Sequence, residues 1–175
     1  MMAIDPILLG HLIEQAVWFG FAALGFAILF NVPPRTLPVI FLLAALGGVT
    51  KLLIIDWGGG LVLASFGGAT LIGILSIQAA HNKHSPHIVF SIPAVIPMVP
   101  GVFAYRMMIG LVKLVGQNPS DNYANILAET VKSGLSVAFI SMSLVIGVGV
   151  PFLITRKNSA KLIFFNKNLF FQNKK

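Results

Sequence analysis

The chain has no cysteine among its 175 residues. Disulfides, thiolate nucleophiles and Cys-ligated metals or clusters are therefore excluded. Acidic residues are nearly as scarce, with five Asp+Glu against 12 Lys+Arg and a formal net charge of +7. Charged residues make up only 10% of the chain, where a soluble domain carries roughly 25%. What is abundant is apolar: 57% of residues, with a mean hydropathy of +0.90. These proportions define an integral membrane protein. The basic excess is not a nucleic-acid signal, because six of the 12 Lys+Arg lie in the last twenty residues, flanking a membrane segment. The start, MMAIDPILLGHLIEQ, lacks a basic n-region, so no cleavable signal peptide is expected.

The apolar runs predict an all-α, polytopic fold of about five membrane helices, over 6–30, 37–55, 61–80, 88–115 and 126–155. Each meets the requirement of roughly 20 residues for a spanning helix. Asp5 and Pro6 suit a helix start, and Asn31-Val-Pro-Pro34 and Asp56-Trp-Gly-Gly-Gly60 suit stops. Residues 1–155 read as one membrane domain and 156–175 as a basic, aromatic tail. That tail suits either an interfacial segment on anionic lipid or a disordered end.

Orientation follows from basic residues in short loops. With the N-terminus outside, Arg35, Lys83 and the six Lys/Arg of the tail are cytoplasmic, against external Lys51 and Lys113. The bias of eight to two favours N-out, C-in.

The fourth segment is the most informative. It reads VFSIPAVIPMVPGVFAYRMMIGLVKLVG and carries Pro93, Pro97, Pro100, Gly101 and then Arg106. A proline inside a helix removes a hydrogen bond and clashes with the carbonyl four residues earlier. An unpaired backbone group in lipid costs several kcal/mol. Broken helices are tolerated where protein buries them or a wet cavity lines them, as at transporter substrate sites. A helix broken near Pro100-Gly101 would aim free N–H groups and a positive dipole end at a carboxylate. The alternative is a packing kink.

Two stretches resemble the threonine/serine exporter family, and within it the short, split, YjjB-type form. They are Gly25-Phe-Ala-Ile-Leu-Phe-Asn31-Val-Pro33 with Arg35, and Pro93-Ala-Val-Ile-Pro97-Met-Val-Pro100-Gly101 with Tyr105. The resemblance covers about residues 7–155. It implies a ten-helix transporter in the bacterial cytoplasmic (inner) membrane, made as one chain or as two subunits. The larger partner would carry a cytoplasmic N-terminal part and the first five helices; this chain resembles the second five. Export of threonine and serine, or of a dicarboxylate such as succinate, driven by proton-motive force, is implied. Arg106 beside Tyr105 looks more like the amino-acid exporters. Pro97, Pro100, Gly101, Tyr105 and Arg106 become the candidate substrate-binding set, with Asn31, Pro33, Arg35 and Pro93 as motif positions.

Other charged residues are weighed singly. Arg106 could hold a substrate carboxylate with its bidentate fork, or pair structurally, or snorkel. Lys113 lies seven residues beyond it, about 10 Å along a helix axis. Lys51 suits a snorkelling position at the outer end of the second helix. Glu14, with His11 and Gln15, could relay protons, pair with Lys51 or sit at the interface. Glu129 and Lys132 share a face at i, i+3, which predicts a local ion pair. His81, His84 and His87 have no metal-site spacing and read as a solvated loop. No phosphate-loop lysine follows the Gly-rich stretches. Gly67, Gly68 and Gly73 read as positions of close helix approach. Serines 133, 136, 141 and 143 could bond across helices or line a path.

The expected activity is a subunit of a secondary exporter, with no cofactor, no bound metal and no nucleic acid. The partners are a larger five-helix subunit and membrane lipid, with self-association as a further option. The rivals are a non-transporting scaffold subunit, and a membrane enzyme for which the chain offers no motif.

Overall fold

The computed structural model describes residues 6–83, 85–116 and 122–172, with side chains described over 10–83, 85–116 and 122–155. The Asp5 cap, His84, most of the loop before residue 122 and the tail side chains lie outside these. Six α-helices follow in order: α1 (Pro6–Leu29), α2 (Leu37–Asp56), α3 (Leu61–Lys83), α4 (Ile88–Val95), α5 (Gly101–Gly116) and α6 (Tyr123–Gln172). Short 3-10 turns at Pro34–Thr36 and Ile96–Met98 precede α2 and extend α4. Four helical segments are long and apolar enough to cross a membrane, and the bent α4–α5 pair supplies a fifth. The expected five-helix, all-α architecture is therefore present, with the fourth helix broken as the sequence predicts.

Local chemistry sets the helix ends. At the end of α1, Asn31 takes φ +54°, a left-handed conformation that asparagine tolerates better than most residues. Its N–H donates to Ile28 O at 2.9 Å, and Val32 N–H donates to Ala27 O at 3.0 Å. This is the Schellman pattern. It repeats after α2, with Gly58 at φ +83° and bonds from Gly58 N–H to Ile55 O and Gly59 N–H to Ile54 O. Asn31 and Pro33 are thus accounted for as a helix stop and a turn. Thr36, wholly buried, donates its hydroxyl to Pro33 O at 2.7 Å and fixes that turn.

Three helix boundaries depart from expectation, α3 among them, which runs to Lys83 rather than about 80. The last helix starts at Tyr123 rather than about 126, and its backbone runs on to Gln172 through most of the predicted tail.

α4 packs on α2, α3 and α1, while α5 packs chiefly on α6. The core is small-sided and apolar: Ala23 and Ala27 of α1, Ala44 of α2, Ala69 of α3 and Ala94 of α4 surround Ile40, Ile72, Phe90 and Met98. The outside is apolar as well, with Trp18, Phe21, Leu42, Leu63, Val112 and Val145 exposed. That distribution belongs to a molecule solvated by lipid, where helix association rests on close packing more than on burial from water.

Glycines provide the closeness. A Cβ at Gly68 would lie 2.6 Å from Gly47 O and 3.1 Å from Met98 Cε. One at Gly73 would lie 3.0 Å from Val148 O, and one at Gly147 would lie 2.9 Å from Phe66 O. Gly67 meets only the Ile54 side chain, so two of the three expected close-approach glycines oppose backbone. Gly68→Ala should therefore destabilise by about 1–3 kcal/mol, the cost of overpacking. Gly149→Ala, where an added Cβ meets nothing within 4 Å, should be neutral or mildly stabilising. Unfolding midpoints in one detergent compare the two; equal midpoints would remove the α2–α3 crossing from the account.

Candidate functional site: the break between α4 and α5

Proline chemistry builds the break. Pro93, Pro97 and Pro100 have no N–H, so the carbonyls four residues before each lose their helical donors. Val99, which precedes Pro100, is pushed out of the helical region to φ −61°, ψ 134°. The chain turns by 57° between α4 with its 3-10 extension and α5. Val99 N–H still reaches Ile96 O at 3.0 Å, and Ala104 N–H reaches Pro100 O at 3.2 Å. Gly101 N–H closes a tight turn onto Val99 O at 2.9 Å, so that donor is already used. Apart from that tight turn, no helical hydrogen-bonded turn spans Val99 and Pro100. Val102 N–H therefore does not serve the carbonyl of Met98.

Lys51 of α2 serves it instead. Its Nζ donates to Met98 O at 3.2 Å. A cation at the carbonyl end of a helix is favourable, because the unpaired carbonyls there carry partial negative charge. The half-buried lysine does not simply snorkel outward, as expected from its place near a helix end; it turns inward to the break. The pairing of Glu14 with Lys51 is not made, and Glu14 is exposed.

The other candidates lie apart. Pro93 is buried in the core, and Pro97 and Pro100 are half-buried at the break. Gly101 is exposed at the start of α5. Tyr105 and Arg106 follow on the outer face of α5, both exposed, with Tyr105 at 67%. Arg106 has no ion pair or hydrogen bond among the described residues. The inner face of α5 is Phe103, Met107 and Gly110, set against α6; a Cβ at Gly110 would fall on Thr130 Oγ1. Asn31, Pro33 and Arg35 stand together at the α1–α2 turn, each exposed. Glu129 and Lys132 share a face of α6 but form no ion pair, contrary to expectation; both side chains are exposed.

Further polar groups are resolved by the packing. Ser136 and Ser143 bond back to their own helix, at Lys132 O and Ile140 O, and not across helices. Ser141 instead lines, with Ser91, an otherwise apolar groove of ≈ 330 Å³ between α4 and α6, next to Ile96 and Val99 of the break. Ser65 on α3 is fully buried, and its hydroxyl has no partner among the described residues. His87 is not the solvated loop residue expected: it is half-buried and stacks on Phe152 at 3.9 Å between ring centroids. That burial lowers its pKa and favours the neutral ring. No His/Asp/Glu group suited to a metal occurs among the described residues.

Sequence reasoning found the break but missed the Met98 carbonyl and its lysine. A bond from a side chain to a backbone oxygen 47 residues away leaves no local pattern.

Stacked apolar helices around a discontinuous fourth span define a multi-pass membrane protein. The chain belongs to the threonine/serine exporter family, whose model matches residues 15–154. It is 34% identical over 143 residues to a protein of Haemophilus influenzae described as uncharacterized. The match covers 82% of this chain but 47% of that relative, so the chain spans about half the length of the curated relative it matches. No solved structure matches the chain.

Proposed function

We propose that this chain is one half of a secondary active exporter of small carboxylates in the bacterial cytoplasmic membrane. Its solutes are threonine and serine or a dicarboxylate such as succinate. A second five-helix half with a cytoplasmic N-terminal part completes the transporter, and proton-motive force drives it. The observation that carries the reading is the α4–α5 break within a chain of the exporter family. Midway along a membrane segment it leaves Val102 and Phe103 N–H groups at the start of α5, and a cation one side chain away. Such half-helix ends hold anionic groups in other transporters. The half-length match supports a second half, and so does the outer face of α5, where Arg106 waits without a partner from the described residues. The N-terminus lies outside and the C-terminus inside, in keeping with the basic residues of the loops and tail.

Proteoliposomes carrying this chain alone should move labelled threonine, serine and succinate no faster than empty liposomes. Adding the larger family half should give flux that collapses with the proton gradient. Robust flux from this chain alone would defeat the two-half reading, and no flux from a properly assembled pair would defeat the exporter reading. Orientation is read by a membrane-impermeant thiol reagent on intact cells. A cysteine replacing Gly60, where an added Cβ meets nothing within 4 Å, should react, and one replacing Ser159 should not; the reverse pattern would invert the topology.

A further inference from the structure

The Lys51–Met98 bond joins two helices far apart in sequence; the other side-chain hydrogen bonds described reach no further than four residues along the chain. It is also incompletely matched. An ammonium group has three donors, and Met98 O occupies one. The described acids Glu14, Asp56 and Glu129 are all exposed, and none forms an ion pair with Lys51. The acceptor is only a neutral carbonyl, and it belongs to the residue directly before the extended Val99 at which the chain turns. The same Met98 is wedged between α2 and α3, with its Cε 3.0 Å from a Cβ placed at Gly47 and 3.1 Å from one at Gly68. Lys51 Cβ would lie 3.4 Å from that Gly68 Cβ. The lysine and the last residue of the first half-span are thus packed at one crossing.

The Lys51–Met98 bond carries a full charge on the donor alone, whereas a carboxylate adds a full opposite charge, and that Coulomb attraction is stronger inside a protein than in water. A carboxylate arriving at this crossing therefore outcompetes the Met98 carbonyl for the ammonium. We propose that Lys51 is a carboxylate-binding residue and a latch. It holds Met98 O when no solute is present, transfers to the solute's carboxylate on binding, and so releases the turn at Val99–Pro100. The inference rests on the exporter reading for the identity of the solute, but the latch can be tested without transport. No proton or covalent bond changes hands; one acceptor replaces another on Nζ.

The test uses the full chain assembled with its partner half in lipid. Spin labels on cysteines replacing the exposed Ile92 of α4 and Val112 of α5 report the distance across the break; this chain has no native cysteine, and any in the partner half are replaced first. The Lys51 protein should give one narrow distance, which shifts or broadens on adding threonine, serine or succinate. Lys51→Met should be broad without solute and indifferent to it. Lys51→Gln keeps an N–H for the carbonyl but no charge, so it should stay narrow and lose the response. In flux assays Lys51→Met and Lys51→Gln should raise the half-saturating concentration at least tenfold, and Lys51→Arg should recover part of it. If Lys51→Met matches the unsubstituted protein in distance and half-saturation, the latch is overturned. If the unsubstituted protein transports while its distance ignores solute, the exchange is overturned. If it moves none of the three solutes, the exporter reading fails instead, and the solute-free distances of Lys51→Met and Lys51→Gln still decide the latch.

Discussion

Arg106→Gln should reduce flux through the assembled transporter at least about 30-fold while leaving assembly intact. Removing one member of a buried charged pair costs about 2–5 kcal/mol, and each 1.4 kcal/mol is about tenfold. In the isolated chain Arg106 is exposed on α5, and no described residue neutralises it. A guanidinium within an apolar span requires an anion or carbonyls from elsewhere, and the two-half reading offers a solute carboxylate between the halves. Arg106→Lys should retain part of the activity, because the charge survives while the bidentate fork does not. Flux is measured beside co-purification of the partner. Normal transport by Arg106→Gln would make the residue a lipid-facing one. Loss of co-purification would assign it to the contact between the halves rather than to the solute.

Pro100→Ala should lower flux tenfold or more by a different route. A proline in a helix interior costs about 3 kcal/mol relative to alanine, which corresponds to roughly 100-fold in a bent-against-straight equilibrium. Alanine at position 100 restores a donor and lets Val99 return to helical geometry. Val102 N–H can then reach Met98 O and take the place of Lys51. The distance across the break should lengthen toward that of a straight span. Unchanged flux together with a straightened span would show that the bend is a packing feature without a part in transport.

The helices were legible because apolar runs of spanning length leave few alternatives, and the break was legible because proline and glycine act through local backbone geometry. The stop at Asn31 was equally local. What the sequence hid were the faces of the helices. In a soluble helix a polar stripe marks the outside; here Ala23 and Ala27 face the core while Trp18 and Phe21 face outward, and both sets are apolar. Nothing in the pattern told that Arg106 points away from the body of the chain and Lys51 toward it. Position along the helix suggested snorkelling for Lys51, but a carbonyl freed by a proline far along the chain offered a nearer partner. Glu129 and Lys132 show the converse. Their spacing permits a pair, yet two exposed, flexible side chains gain little by holding one geometry.

Pro93, Pro97 and Pro100 had no helical donor to give, and the break is spanned by the tight turn from Gly101 N–H to Val99 O and by no helical one. A swing of α5 about Val99 therefore ruptures little main-chain bonding. Once Lys51 has let go of Met98 O, resistance to that swing resides in a side chain: an unbranched thioether with three rotatable bonds, seated between Gly47 and Gly68. A joint of this kind yields by sliding a methionine through its rotamers. Its stiffness should soften gradually with temperature, as apolar packing does, without the threshold that breaking a run of backbone hydrogen bonds would impose.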